Sequence, residues 1–365
     1  MTTESVLEAL RNVQEPDLGK DIVTLNMIKD ISIDGNYVSF TIVLTTPACP
    51  LKDMIKNECI KSIKTLVNAS AVVNVTFLSN TTTNRSDGGA VLPKVKNIIA
   101  VVSGKGGVGK STVAANLALA LSHSGAKVGL MDADIYGPSV PIMFGVRGER
   151  PMMIEIGDKG MIAPLERYGI KLISIGLLVD EKNAVVWRGP MASSAIRQFI
   201  TDVYWGELDY LVIDLPPGTG DIHLTLVQTV PVTGAVIVTT PQDVALADAK
   251  KAIAMFGQAQ INVPIIGLVE NMSYFSPAEL PGHKYYIFGK EGGKDLAEEY
   301  DIPFLGEIPL VQGIREGGDQ GVPAMIGDEE TSRNAFREFA DNVVRSISMR
   351  NANMSSEKVA ETIET

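Results

Sequence analysis

Cysteine is scarce in this chain: Cys49 and Cys59 are the only two in 365 residues. Ten residues apart, they build no disulfide framework and lack the spacing of a zinc site. Long apolar runs are missing as well. No run approaches the ~18–20 residues that a membrane span needs. Met1 to Arg11 carries acidic residues in place of the apolar core of a secretory signal. These absences predict a cytoplasmic protein with no membrane partner. Positive charge is in deficit, with 32 Lys and Arg against 43 Asp and Glu, a net charge of −11. Phosphate neutralisation needs a basic face, so nucleic acid is not an expected partner. What is present is a globular composition, 45% hydrophobic and 21% charged, with chain enough for a large core and two domains.

Residues 1–78 read as one small α/β unit. Val6, Leu7, Leu10 and Val13 recur at helical spacing. Two strand-like runs, Met27 to Ile33 and Tyr37 to Leu44, flank Asp34-Gly35-Asn36, a hairpin signal. A helix fits Leu51 to Val67, and a strand fits Ala71 to Leu78. Residues 79–96 turn polar and predict a flexible linker. From Asn97 onward, short β-branched apolar runs, from Ile98–Val102 to Phe304–Ile308, alternate with helix-compatible segments. Runs apolar on both faces and joined through helices predict an α/β fold, a mostly parallel sheet covered by helices on both faces, over residues 97–348. Residues 349–365 are small, polar and acidic, and predict a disordered tail.

The strongest local signal is Gly104-Lys105-Gly106-Gly107-Val108-Gly109-Lys110-Ser111-Thr112, which contains G-x-x-x-x-G-K-[ST] between a buried strand and an apolar helix. The glycines let backbone N–H groups close around phosphate oxygens, and the helix N-terminus adds partial positive charge. Lys110 is placed to reach the β- and γ-phosphates and Ser111 to ligate Mg²⁺. This predicts a P-loop NTPase binding ATP and Mg²⁺.

Four later strand ends carry polar residues where ligands bind in open α/β sheets. Asp132 and Asp134 follow the run Gly129-Leu130-Met131. Asp134 is the candidate for orienting the attacking water, and Asp132 for acting on Mg²⁺ through water. The alternative for either is a cap on the next turn. Asp214 ends Tyr210-Leu211-Val212-Ile213, a Walker B arrangement for the Mg²⁺ shell. Pro216-Pro217-Gly218 cannot continue that strand and makes a loop whose Gly218 N–H could meet the γ-phosphate. Asn271 closes a further strand and offers a donor and an acceptor to an adenine edge. Pro241-Gln242-Asp243 sits at a comparable strand end.

The loop Gly-Lys-Gly-Gly-Val-Gly-Lys-Ser, with its extra Lys105, resembles the deviant Walker A family of Min and Par positioning ATPases and Mrp-type iron–sulfur carriers. Resemblance implies a nucleotide-sandwich homodimer in which Lys105 reaches the partner's nucleotide. Asp132-Ala-Asp-Ile-Tyr-Gly-Pro-Ser139, Val186-Trp187-Arg188-Gly189-Pro190-Met191, Leu215 to Asp221 and Glu270-Asn271-Met272-Ser273 narrow the likeness to the Mrp group. Thr45-Thr46-Pro47-Ala48-Cys49-Pro50 resembles the small domain fused to the front of bacterial Mrp proteins. The resemblance implies ATP-coupled delivery of iron–sulfur clusters, with apoprotein clients and iron–sulfur assembly proteins as partners. In that group the Asn equivalent to Asn271 contacts the base.

One departure touches the cargo. Mrp-type carriers have Cys-x-x-Cys soon after Asn-Met-Ser, whereas here Ser276, Glu279 and His283 occupy that stretch. Thiolate is the usual cluster ligand, so the family's bridging site is not carried over. Cys49, just before the helix at Leu51, is the remaining cluster or redox thiol. Its alternative is a small buried hydrophobe, and Cys59, mid-helix, reads as core. Two other readings stand beside the carrier: an ATP-switched scaffold without its own cluster, and a positioning ATPase. The latter needs a basic C-terminal amphipathic helix or a DNA-binding face, and the tail after Arg350 is acidic.

Overall fold

The computed structural model describes residues 1–83, 91–179, 189–277, 279–280 and 282–363, with backbone alone at Asp221 and over 354–363. Most of the expected linker's middle (84–90) and Val186-Trp187-Arg188 lie outside the described residues. The chain divides into two compact units, residues 1–84 with 347–365, and residues 85–346. No helix among the described residues is long and apolar enough to cross a membrane.

In the first unit, helix α1 (Thr3–Leu10) starts on a capping box, Thr2 and Ser5 exchanging side-chain and backbone hydrogen bonds. The short strands β1 (Gln14–Glu15) and β2 (Lys20–Asp21) pair antiparallel. Strands β3 (Ile28–Asp34) and β4 (Tyr37–Leu44) form the expected hairpin through Gly35, at φ 57°. Helix α2 (Lys52–Leu66) then crosses over, and β5 (Val72–Ser79) joins β4 in parallel. Phe40, Ile42, Ile55, Ile63 and Cys59 fill the core. Burial pushes the Cys59 thiol up to about 12, as befits an inert core residue.

The second unit begins with β6 (Val95–Val102), which takes up the last two residues expected in the linker. There follow α3 (Lys110–His123), β7 (Val128–Asp132) and α4 (Val140–Met143). A hairpin of β8 (Met153–Ile156) and β9 (Lys159–Ile162) leads to β10 (Leu165–Arg167) and β11 (Ile170–Ser174). Then come α5 (Gly189–Thr201), β12 (Leu208–Asp214), α6 (Asp221–Thr229), β13 (Gly234–Thr239) and α7 (Asp243–Phe256). The order closes with β14 (Ile265–Phe275), α8 (Gly292–Glu299), β15 (Phe304–Leu310), α9 (Gln312–Gln320) and α10 (Glu330–Ile363).

Eight strands form one sheet in the order β10-β11-β7-β12-β6-β13-β14-β15, parallel throughout apart from the edge strand β10. Strands β12 and β13 are buried at every residue, which is why they read as continuous apolar runs. From β6 the chain builds one half through β7 and β11 and later returns to build the other through β13 to β15. The carboxyl end of β6 therefore opens at the reversal of strand order, where ligands bind in such sheets.

Where a disordered tail was expected, the backbone from Met349 continues helix α10 as far as Ile363. Ile347 is buried, and the Asn351 amide donates to the Thr82 carbonyl at 3.1 Å within the first unit. Composition alone does not reveal an anchor made by one amide and one isoleucine.

Candidate functional site

The loop after β6 turns on two glycines in the left-handed region, Gly107 at φ 83° and Gly109 at φ 81°. Gly109 is also the N-cap of α3, so the first N–H groups of that helix face the loop. Gly104 answers a different need. A Cβ there would lie 2.0 Å from the Asp248 carbonyl of α7, so only glycine lets the loop pass. These are the contacts of a phosphate cradle.

At the start of α3, Lys110 is 6% exposed and its ammonium joins two carboxylates. Nζ lies 2.5 Å from Asp214 Oδ1 and 3.7 Å from Asp134 Oδ2, and donates to Ser111 Oγ at 3.3 Å. Asp214, at the end of β12, is fully buried. Burial raises its carboxyl pKa above the ordinary value, and the adjacent Lys110 acts against that rise. Its Oδ2 has no hydrogen-bond partner among the described residues. A buried, unmatched carboxylate oxygen beside Ser111 and the cradle fits the hydration shell of a divalent cation held by a nucleotide.

Asp132 ends the neighbouring strand β7, paired in register with Asp214. Its Oδ1 accepts from the Asp134 N–H at 3.1 Å, and its Oδ2 from the Val140 N–H at 3.3 Å and the Ser174 hydroxyl at 2.9 Å. Burial, and then the Asp214 charge, push its carboxyl up to about 7. This is the turn-capping alternative in a particular form: Asp132 fastens the loop 133–140 that carries Asp134.

Two other expected contacts are differently engaged. The Gly218 N–H, expected to be open to phosphate, donates to the Ser103 carbonyl at 2.9 Å and ties the Walker B loop to the end of β6. The Asn271 amide, expected at the base, donates to the Val108 carbonyl at 2.8 Å, which leaves its Oδ1 as the acceptor. Gly109 makes room for that amide, since a Cβ would stand 2.2 Å from it. Asn271 nevertheless lines a cavity of about 350 Å³ together with Gly109 and Thr112. Its walls also include Ile142 and Met143 of α4 and the segment Pro309–Val311 leading into α9. These walls were missed in the sequence. The signal available was the strand end at Pro309-Leu310. The Pro241-Gln242-Asp243 turn is not among the lining residues.

Lys105 is half-buried and has no ion-pair partner among the described residues. Cys49 lies in the first unit, half-buried, two residues before the N-cap Leu51 of α2. In the loop lacking the cysteine pair, Phe275 and Tyr285 pair through two backbone hydrogen bonds, and Glu279 and His283 are exposed. Among the described residues no three His, Cys, Asp or Glu are grouped to hold a metal ion.

Comparison with known proteins decides the family. Residues 94–344 match a family model described as the NUBPL iron-transfer P-loop NTPase, of the ParA group. The chain belongs to this family of P-loop NTPases. As an iron-transfer P-loop NTPase it carries a further match over residues 3–77, to a model described as an iron–sulfur cluster assembly protein. The iron–sulfur cluster carrier protein of Synechocystis sp. is 50% identical over 351 residues, 96% of this chain and 99% of its own. The protein of the same name from Escherichia coli is 44% identical, over 93% of this chain and 90% of its own. Among solved structures, a nucleotide-binding protein from Archaeoglobus fulgidus in complex with ADP aligns with a TM-score of 0.56 at 41% identity. That alignment covers 65% of this chain and 91% of the other.

Proposed function

We propose that this iron-transfer P-loop NTPase binds and hydrolyses Mg-ATP as a homodimer and carries iron–sulfur clusters to apoproteins. The observation that carries the ATPase half is Lys110 held between Asp214 and Asp134 at the mouth of a glycine cradle. Phosphate oxygens compete with Asp214 for the ammonium, and the three donors of Lys110 can serve both. Ser111 and Asp214 Oδ2 would hold Mg²⁺, which when bound would supply Lewis-acid neutralisation of the β- and γ-phosphate charge. Asp134, positioned by the loop that Asp132 fastens, orients the attacking water. Lys105 extends from the loop without an ion-pair partner among the described residues, and in a dimer it adds positive charge at the partner's γ-phosphate. Asn271 Oδ1 accepts from the exocyclic amine of adenine in the adjoining cavity. The ADP complex named above supports the nucleotide assignment.

The carrier half rests on the family and on the names of its relatives. The cluster is cargo here, and the thiol offered to it is Cys49. Anaerobic reconstitution of the full chain, followed by iron and sulfide analysis, tests this. The expected result is bound cluster in the wild type and loss of most of it in Cys49→Ser. A second reading, an ATP-switched scaffold without its own cluster, is favoured by the replacement of the Cys-x-x-Cys stretch by Ser276 and Glu279. Absence of cluster from both proteins would decide for the scaffold.

A further inference from the structure

His223 stands in the first turn of α6, behind the loop that runs from Asp214 to Gly220. It is 2% exposed, and neither ring nitrogen has a hydrogen-bond partner among the described residues. Its ring packs edge-on against Phe256 of α7, centroids 6.4 Å apart. The carbonyls of Gly220 and Pro216 lie near enough for their partial charge to act on the imidazole, yet not in hydrogen-bonding geometry. Burial lowers the imidazole pKa to about 4, so the ring is neutral at physiological pH, with one donor and one acceptor. A buried polar group left without partners is costly and calls for an explanation. Leucine or phenylalanine would fill the same apolar niche without that cost.

The loop in front of this ring is also held by a bond that would have to break before the Gly218 N–H could meet a phosphate. Gly218, at φ 96°, gives its N–H to the Ser103 carbonyl, and no phosphate can use that donor until it is released. One movement of the loop would release Gly218 and bring a loop carbonyl into line with the imidazole.

We propose that His223 is a positioning residue for the Leu215–Gly220 loop, its ring N–H bonding a loop carbonyl only in the arrangement that turns the Gly218 N–H toward the γ-phosphate. The inference rests on the ATP reading above. The imidazole is not at the reacting atoms and acts through the loop. Removing it therefore slows turnover without weakening nucleotide binding.

The test compares the full-length wild type, His223→Leu and His223→Gln. Expected are a kcat about tenfold lower in His223→Leu, the worth of one hydrogen bond, an ATP Kd within twofold of wild type, and a Tm equal or higher. The Gln side chain, which keeps a donor, is expected to restore most of the kcat. Unchanged kcat in His223→Leu overturns the proposal, as does a fall in Tm and kcat together without rescue by Gln, which marks a packing role. A second measurement needs no variant. The chain has three histidines, His123, His223 and His283, so ring-nitrogen NMR can follow the buried one. On adding Mg²⁺, ADP and aluminium fluoride, which together mimic the transferring phosphoryl group, its signal is expected to move to a hydrogen-bonded position, and an unmoved signal in protein that binds the mimic overturns the proposal. Wild-type protein that binds no ATP overturns the function proposed above, and this inference with it.

Discussion

Lys105→Ala is expected to lower steady-state ATP turnover by about 10³-fold while leaving ATP affinity within a few-fold of wild type. The magnitude is the lower end for a positive charge placed on a transferring phosphoryl group in trans. The separation of the two effects follows from the local geometry. Lys110, not Lys105, meets Asp214 and Asp134 at the cradle, so the resident nucleotide keeps its own lysine. Lys105 is half-buried and has no ion-pair partner among the described residues, so its removal leaves no described carboxylate stranded, and the fold is expected to melt at the wild-type temperature. Equal turnover in the variant, measured at saturating Mg-ATP, would remove Lys105 from the chemistry.

Lys110→Ala is expected to fail differently, losing nucleotide binding and much of the stability at once. Asp214 is fully buried and its Oδ1 relies on Lys110, so truncating the lysine leaves a buried carboxylate without its counter-charge. Breaking such a pair from one side costs about 3–5 kcal/mol. Urea unfolding reads this directly. The double variant Lys110→Ala, Asp214→Asn is expected to regain most of the lost stability, because a neutral amide no longer needs an ammonium, yet to remain without ATP turnover. A single variant as stable as wild type would mean that solvent reaches Asp214 and that the pair is not a buried one.

What could be read in the chain and what could not differ by physical range. The phosphate loop was legible because its demands are local: positive φ at Gly107 and Gly109 and close passage at Gly104 each require glycine. The parallel strands were legible because burial on both faces leaves no polar alternation. The hairpin β8–β9 and the edge strand β10 were missed because they are three or four residues long and partly exposed, without an apolar run. Around the loop, the polar residues closing the strands were legible and their hydrogen-bond partners were not. That Asp132 spends both oxygens on residues 134, 140 and 174, and Gly218 its N–H on Ser103, depends on contacts between separate strand ends. His223 carried no signal at all, since an isolated histidine in an apolar helix gains meaning only from the loop packed against it.

In the proposed dimer, hydrolysis takes Asp134 from one subunit and Lys105 from the other. Mixing Lys105→Ala with Asp134→Asn tests it most directly. Each variant alone is expected to bind ATP and to be nearly inert. In a mixed dimer, the nucleotide bound by the Lys105→Ala subunit meets its own Asp134 and the Lys105 of the Asp134→Asn subunit, one intact site. The mixture is expected to hydrolyse ATP where neither component does. A mixture as inert as its components, with heterodimer formation verified, would contradict it, as would full activity in either variant alone.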